Sequence, residues 1–144
     1  MKTAFTTIFA CIFTLILFAQ TDELDGVWEG YITQDPGGLA QEYYFQVDLD
    51  ILDEELVGTT TIRLLDKPDV YGIMNMHGKV TDEEISFEED AILKQQIYTY
   101  AYWCLKEIQL KPVQLDGKTV LQGKWLSDRC PGTGEVTLEK TVLL

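Results

Sequence analysis

The residue types that most often perform catalysis are scarce in this chain. It has one histidine, His77, and two serines, Ser86 and Ser127, and no Gly-x-Ser-x-Gly sequence. Nucleophilic hydrolysis needs a base positioned beside the nucleophile. His77 alternates in phase with Ile73 and Asn75, which predicts a side chain that faces solvent. We therefore expect no catalytic residue, and we expect that the protein is not an enzyme.

Carboxylates are plentiful, but no pair of them stands out as an acid and a base. A glycosidase needs two carboxyl groups that flank the scissile bond. The four best candidates all fall on the polar phase of the alternation, and they are Glu29, Glu42, Glu84 and Glu88. A hydrolase therefore stays a minor alternative, one that needs two of these carboxylates, or His77 and a nucleophile, in one cleft.

Metal and cofactor chemistry is also poorly supported. One histidine and two cysteines cannot complete a zinc site. Hard cations prefer oxygen ligands on loops, and one predicted hairpin is rich in acids, namely Asp48, Asp50, Asp53, Glu54 and Glu55. These acids lack the spaced pattern with a glycine that calcium loops use. The sequence predicts a solvated acidic rim, no metal site and no cofactor.

The N-terminal segment decides the compartment in which the rest must work. Lys2 is followed by an uncharged apolar run from Ala4 to Ala19, and the first acid is Asp22. This pattern is typical of a secretory signal peptide. We predict a signal peptide at 1–19 and a single domain at 20–144, exported to the periplasm or the extracellular space.

Cysteine content and charge narrow the class of partner. Cys11 falls inside the predicted signal, which leaves Cys104 and Cys130 to form a disulfide in an oxidising compartment. Loss of the signal changes the formal net charge from -13 to -14. Such acidity argues against a nucleic-acid partner and against anionic lipid, because both are bound by clustered Lys and Arg. After residue 19, the sequence contains no second apolar segment that would predict a membrane span.

Apolar and polar residues alternate through most of the predicted domain, which is typical of half-buried strands. Turn residues separate eight such stretches. The predicted strands are Val27–Thr33, Tyr43–Ile51, Leu56–Leu64, Val70–Val80, Glu84–Glu88, Tyr98–Leu110, Thr119–Leu126 and Glu135–Thr141. Helix-forming residues at Glu88–Gln96 predict a loop or a short helix between the fifth and sixth strands.

Eight short strands in sequence order favour an all-β, antiparallel up-and-down (meander) barrel over a two-sheet sandwich. Closure removes the exposed edges of the sheet. Four glycines share the inward phase of their strands, where a sheet can bend sharply. They are Gly30, Gly58, Gly78 and Gly123.

Two resemblances accompany this pattern. Gly26-Val27-Trp28 at the head of the first strand resembles the opening of calycin barrels, the group of lipocalins and avidins, and Leu121–Leu126 is loosely similar to a late avidin strand. The resemblance implies an eight-stranded barrel that holds a small ligand, with Trp28 packed beneath a basic residue near the end of the last strand. Lys140 is the candidate for that residue. No residues match the ligand-binding polar residues of avidin.

The chain also resembles small, uncharacterised exported β-proteins of Bacteroidetes. The motifs that carry this likeness are Trp28-Glu29-Gly30, Trp103-Cys104, Gly123-Lys124-Trp125 and Cys130-Pro131-Gly132. This second resemblance implies export and a β-fold, and it implies no activity.

The aromatic residues give the functional hypotheses. Tyr98, Tyr100 and Tyr102 recur every second residue; we favour an interior position for them, with Trp103 closing one end, over a position on the outer surface. The leading hypothesis is a non-catalytic domain that holds a small apolar molecule inside the barrel. Its predicted ligand-binding residues are Trp28, Phe45, Met74, Met76, Trp103 and Trp125. The alternative is a surface interaction module that touches a protein or a glycan through exposed aromatics. The oligomeric state is left open.

Overall fold

The computed structural model describes residues 23–142, which form eight β-strands. The strands are β1 (Gly26–Thr33), β2 (Glu42–Leu52), β3 (Glu55–Leu64), β4 (Tyr71–Val80), β5 (Ile85–Gln96), β6 (Glu107–Leu115), β7 (Lys118–Leu126) and β8 (Thr133–Lys140). Each strand is antiparallel to the next, and β8 pairs with β1. The prediction of an all-β meander barrel is confirmed. The predicted signal peptide lies outside the described residues.

Side-chain alternation builds the core as the sequence predicts. In β2, Tyr43, Phe45, Val47 and Leu49 are buried, while the residues between them are more exposed. The same alternation on the other strands produces one continuous apolar cluster that fills the barrel. Burial of one face of each strand therefore supplies the main driving force for closure.

Two-residue turns join β2 to β3 and β6 to β7. Asp116 and Gly117 connect Leu115 to Lys118, with φ angles of 51° and 77°. Positive φ at both central residues matches the right-handed twist of the flanking strands, and Asp-Gly adopts it at low cost.

The inward glycines permit close approach between strands. A Cβ added at Gly78 would collide with the carbonyl oxygen of Ser86, and one added at Gly123 would collide with that of Gln109. In both places the backbone of the neighbouring strand occupies the space where a side chain would stand. These contacts support the prediction that glycines let the sheet bend tightly.

The predicted boundaries around the fifth and sixth strands are wrong. β5 continues to Gln96 instead of ending at Glu88, and β6 begins at Glu107 instead of Tyr98. The pairing of β5 with β4 shifts register twice, between Ile73 and Met74 and between Asn75 and Met76. Each shift inserts an extra residue that interrupts alternation, which is why the second half of β5 does not have the pattern of a strand.

β5 and β6 share a short ladder in which only Ile85–Glu88 pair with Glu107–Leu110. We call this ladder the seam. Residues 97–106 connect the two strands without joining the ladder as a strand. The every-second-residue spacing of their tyrosines therefore does not reflect strand structure.

The barrel has two different ends. The Trp28 end contains the start of β1, the β4–β5 turn, the β6–β7 hairpin and the end of β8. The disulfide end contains residues 97–106 and the β7–β8 loop, which the Cys104–Cys130 disulfide joins. The predicted disulfide is confirmed. No helix among residues 23–142 has the length and apolar character needed to cross a bilayer.

Candidate functional site

The six predicted ligand-binding residues all belong to one buried cluster. Trp28 lies towards one end and Trp103 and Trp125 towards the other. Phe45, Met74 and Met76 lie in the cluster as well and are fully buried. The structure thus brings the six together in a packed interior, and their role in ligand binding stays a prediction.

At the Trp28 end, a tryptophan and a lysine make the contact that the calycin resemblance implies. Trp28 is opposite Lys140 in the β1–β8 ladder, and the Lys140 Nζ lies 5.9 Å from the Trp28 ring centroid. The Trp28 Nε1–H donates to the carbonyl of Leu24 over 2.9 Å, and the Lys140 Nζ donates to the carbonyl of Glu23 over 2.6 Å. The two residues therefore attach the segment before β1 to the barrel.

A cleft of about 1030 Å³ opens at this end. The β6–β7 hairpin projects beyond the seam, because Lys111–Leu115 pair with β7 and have no partner on β5. The cleft lies between this hairpin, the β4–β5 turn and the segment before β1. Its apolar lining comes from Leu24, Trp28, Val80, Pro112 and Val142, and its charged lining from Glu23, Asp82, Glu83, Lys111, Lys118, Glu139 and Lys140.

The disulfide end is closed by aromatic side chains. The Trp103 Nε1–H donates to the carbonyl of Tyr71 over 3.0 Å, and its ring packs edge-on against Tyr43 with the centroids 6.0 Å apart. The Trp125 Nε1–H donates to the carbonyl of Thr33 over 2.7 Å. A cavity of about 60 Å³ remains beneath them, which has room for a few water molecules.

A buried ion pair stands beside this small cavity. The Lys106 Nζ lies 2.9 Å from the Glu89 Oε2, and both side chains are almost completely buried. The same carboxylate accepts a hydrogen bond from the backbone N–H of Lys106, and its other oxygen accepts one from the Thr60 hydroxyl. The Lys106 Nζ also donates to the carbonyl of Cys104 over 3.1 Å. Every charged oxygen thus has a partner, as burial requires.

Sequence reasoning missed both members of this pair. Glu89 follows Ile85 and Phe87 at a spacing of two, so extension of the fifth strand by one residue would have placed its side chain inside. Lys106 precedes Ile108 and Leu110 at the same spacing of two, so extension of the inward phase of β6 by one step would have placed its side chain inside as well.

His77 faces solvent, as predicted, but it has two carboxylate partners. Its Nδ1 lies 2.7 Å from the Asp90 Oδ2 and its Nε2 lies 2.9 Å from the Glu88 Oε1. The hydrogen bond to Asp90 is the main reason that the pKa of His77 is raised. The hydrogen bond from Asn75, followed by the one from His77, lowers the pKa of Asp90.

Both ring nitrogens of His77 are engaged by carboxylates. No group of three or more His, Cys, Asp or Glu residues within 23–142 is arranged to hold a metal ion.

The tyrosines of residues 97–106 do not fill the interior, and that expectation is wrong. Tyr100 is 78% exposed and Tyr102 is 70% exposed, while Tyr98 is half-buried. Trp103 does close an end of the barrel, as the same interpretation predicted. Because residues 97–106 leave the sheet after β5, their side chains are free of its inward and outward alternation.

No family model, no curated protein and no solved structure matches this chain. The geometry of the barrel and of its two ends is therefore the basis for a functional proposal.

Proposed function

We propose that this chain is an exported, non-catalytic binding domain that holds a small amphipathic molecule in the cleft at the Trp28 end. The observation that carries the proposal is the volume of that cleft, about 1030 Å³, together with its lining. Sites for small molecules are usually concave, largely apolar and provided with a few convergent polar groups. An apolar floor flanked by charged side chains suits a molecule with an apolar body and a polar head.

The position differs from the one that the calycin resemblance implies, which is the interior of the barrel. Phe45, Met74 and Met76 line neither of the two cavities described above, and their side chains are fully buried. The small cavity at the disulfide end is much smaller than the cleft. The cleft is therefore the better-supported location for a ligand.

Relationship to the lipocalin branch of the calycins is part of this proposal. The closed meander barrel, the Gly26-Val27-Trp28 opening and the position of Lys140 over Trp28 support it. Export is a proposal of the same kind, and the Cys104–Cys130 disulfide supports it because such bonds persist in oxidising compartments. Mass spectrometry of the protein recovered from its native host would test the predicted cleavage after residue 19.

A ligand titration tests the binding proposal. The fluorescent amphiphile 8-anilinonaphthalene-1-sulfonate is added to the native protein, and two-dimensional ¹H–¹⁵N NMR spectra locate the amides that shift. We expect saturable fluorescence enhancement, with shifts at Val80, Lys111 and Thr119. Shifts confined to Tyr102 and Cys104 would instead locate the ligand at the disulfide end and overturn the proposed position.

Two matched variants on β7 sharpen this titration. Thr119→Trp places a large side chain in the cleft, whereas Lys124→Trp places the same side chain on the exposed wall of the same strand. We expect the first variant to lose probe binding and the second to keep it. Equal binding by both variants would contradict the proposal.

A further inference from the structure

Three tyrosines of residues 97–106 form an unusual surface at the disulfide end. Tyr98 and Tyr100 are stacked with their ring planes 1° apart and their centroids separated by 5.3 Å. Tyr100 and Tyr102 are more exposed than any other tyrosine of the described chain, and Tyr31 follows at 52%. Large aromatic side chains exposed together often mark a binding surface.

The stack of Tyr98 and Tyr100 has an open end. The Lys67 Nζ donates to the Tyr98 hydroxyl over 3.2 Å, at the edge of the Tyr98 ring. Tyr100 covers one face of Tyr98. Since Tyr100 is 78% exposed, the face of its ring that points away from Tyr98 is open to solvent. We call Lys67, Tyr98, Tyr100 and Tyr102 the tyrosine platform.

Residues that flank the platform in sequence fix it to the barrel. Trp103 is buried and donates a hydrogen bond to the carbonyl of Tyr71, and Cys104 forms the disulfide with Cys130. Lys106 is held by the buried carboxylate of Glu89. The platform therefore stands on an ordered base, so a ligand meets rings whose conformational freedom is already reduced.

The chemistry of the open ring selects the ligand. The face of an aromatic ring is electron-rich and attracts weakly positive C–H groups, and the C–H face of a pyranose ring presents such groups in one plane. A nucleic-acid base could stack in the same way, but its phosphates would meet a chain of formal net charge -13. A neutral sugar meets no such repulsion.

We propose that the tyrosine platform is a carbohydrate-binding surface, and that its ligand is a neutral hexopyranose unit of a glycan stacked on the open face of Tyr100. The surface is separate from the cleft at the Trp28 end, so it does not rest on the function proposed above. A single stacked ring gives weak binding, and repeated units of a polysaccharide raise the avidity.

The test uses soluble oligosaccharides at millimolar concentration and ¹H–¹⁵N NMR of the full domain. The panel contains hexamers of β-1,4-glucose, α-1,4-glucose, β-1,4-mannose and β-1,4-N-acetylglucosamine, with tetramethylammonium as a cationic probe for the same ring. We expect at least one oligosaccharide to shift the amides of residues 97–106. Absence of shifts with all four sugars would overturn the proposal, as would shifts at that segment with tetramethylammonium alone.

Three single variants assign the effect to the open ring. Tyr100→Ala removes the stacking face and should weaken sugar binding about tenfold or more, which corresponds to about 1.4 kcal/mol. Tyr100→Phe keeps the face and should stay within about twofold of the native Kd. Tyr31→Ala removes an exposed tyrosine on the outer surface of β1 and should leave the Kd unchanged. Equal loss in the Tyr100→Ala and Tyr31→Ala variants, or no loss in Tyr100→Ala, would overturn the assignment.

Discussion

The two ends of the barrel are built in opposite ways. At the Trp28 end, a hairpin projects beyond the seam and leaves a cleft of about 1030 Å³. At the disulfide end, residues 97–106 fold back over the barrel, and only about 60 Å³ remains beneath Trp103 and Trp125. Both features follow from the same short seam. At the Trp28 end, β6 continues beyond the first residue of β5, and at the disulfide end β5 continues beyond the first residue of β6.

The difference shows how one irregularity can produce two kinds of surface. Where β6 runs beyond the start of β5, a concave site results. Where a connecting segment is fixed over the gap by a disulfide and a buried ion pair, a convex aromatic surface results. We therefore expect substitutions at the disulfide end to have larger effects on stability than substitutions at the Trp28 end.

The largest effect should follow from loss of one member of the buried ion pair. Lys106→Met leaves the Glu89 carboxylate buried without its cation, which should lower the free energy of unfolding by about 3–5 kcal/mol. Urea denaturation measures the change. The double variant Glu89→Met/Lys106→Met removes both charges and should recover most of the loss. A double variant as unstable as the single one would show that the pair is not the cause.

Removal of the disulfide should have the next largest effect. Cys104→Ser/Cys130→Ser opens a loop that spans 26 residues, and the chain-entropy treatment gives a loss of about 3 kcal/mol. Thermal and urea unfolding measure it. We also expect the oligosaccharide shifts to weaken while probe binding in the cleft persists. Equal loss of both binding activities would contradict the independence of the two ends.

A smaller effect is expected at the Trp28 end. Lys140→Met removes a cation over the Trp28 ring and a hydrogen bond to the carbonyl of Glu23, which should cost about 1 kcal/mol because the lysine is exposed. Lys124→Met, on an exposed wall position, is the matched control and should be neutral. A loss as large as that of Lys106→Met would remove the proposed asymmetry between the ends.

The smallest effect should come from the exposed cluster of His77, Glu88 and Asp90. Because the folded state raises the pKa of His77 above its ordinary value of 6.5, the cluster stabilises the protein below that pH, and the contribution is lost as pH rises through the raised pKa. Asp90 contributes in the opposite sense. Because its pKa is lowered in the folded state, its carboxylate stabilises the protein above about pH 4, and that contribution is lost as the pH falls.

Stability from this cluster should therefore be greatest near pH 5–6, and its size should stay below about 1 kcal/mol because the groups are exposed. Urea unfolding of the native protein and of His77→Gln from pH 5 to pH 8 checks this prediction. The difference between the two proteins should shrink as the pH rises. A difference that grows with pH would refute the sign.

The sequence predicts the barrel well where alternation is regular. β2 and β7 have the pattern of half-buried strands, and the inward glycines mark places of close approach. The contact between Lys140 and Trp28 also follows from the resemblance and the strand register. The alternation and the glycines are local patterns, which one sequence contains, whereas the Lys140 contact was implied by the resemblance.

The disulfide end could be predicted only in part. The pairing of Cys104 with Cys130 follows from compartment and number. Charged side chains are rarely buried, so the inward phase of Glu89 and Lys106 gives no reason to expect an ion pair between them. The contact between these two residues, the two register shifts between β4 and β5 and the path of residues 97–106 are tertiary features, which one sequence does not display. The same path places Tyr100 and Tyr102 on the surface.

The projecting hairpin has a further consequence for how copies of this protein behave in concentrated solution. Lys111–Leu115 form hydrogen bonds with β7 on one side only, and such an edge can recruit a strand from another molecule and start aggregation. Pro112 has no N–H to offer such a strand, and Lys111 brings a charge that opposes close stacking of identical chains. The hairpin therefore has an unpaired edge, but this edge is a poor template for sheet extension by other molecules.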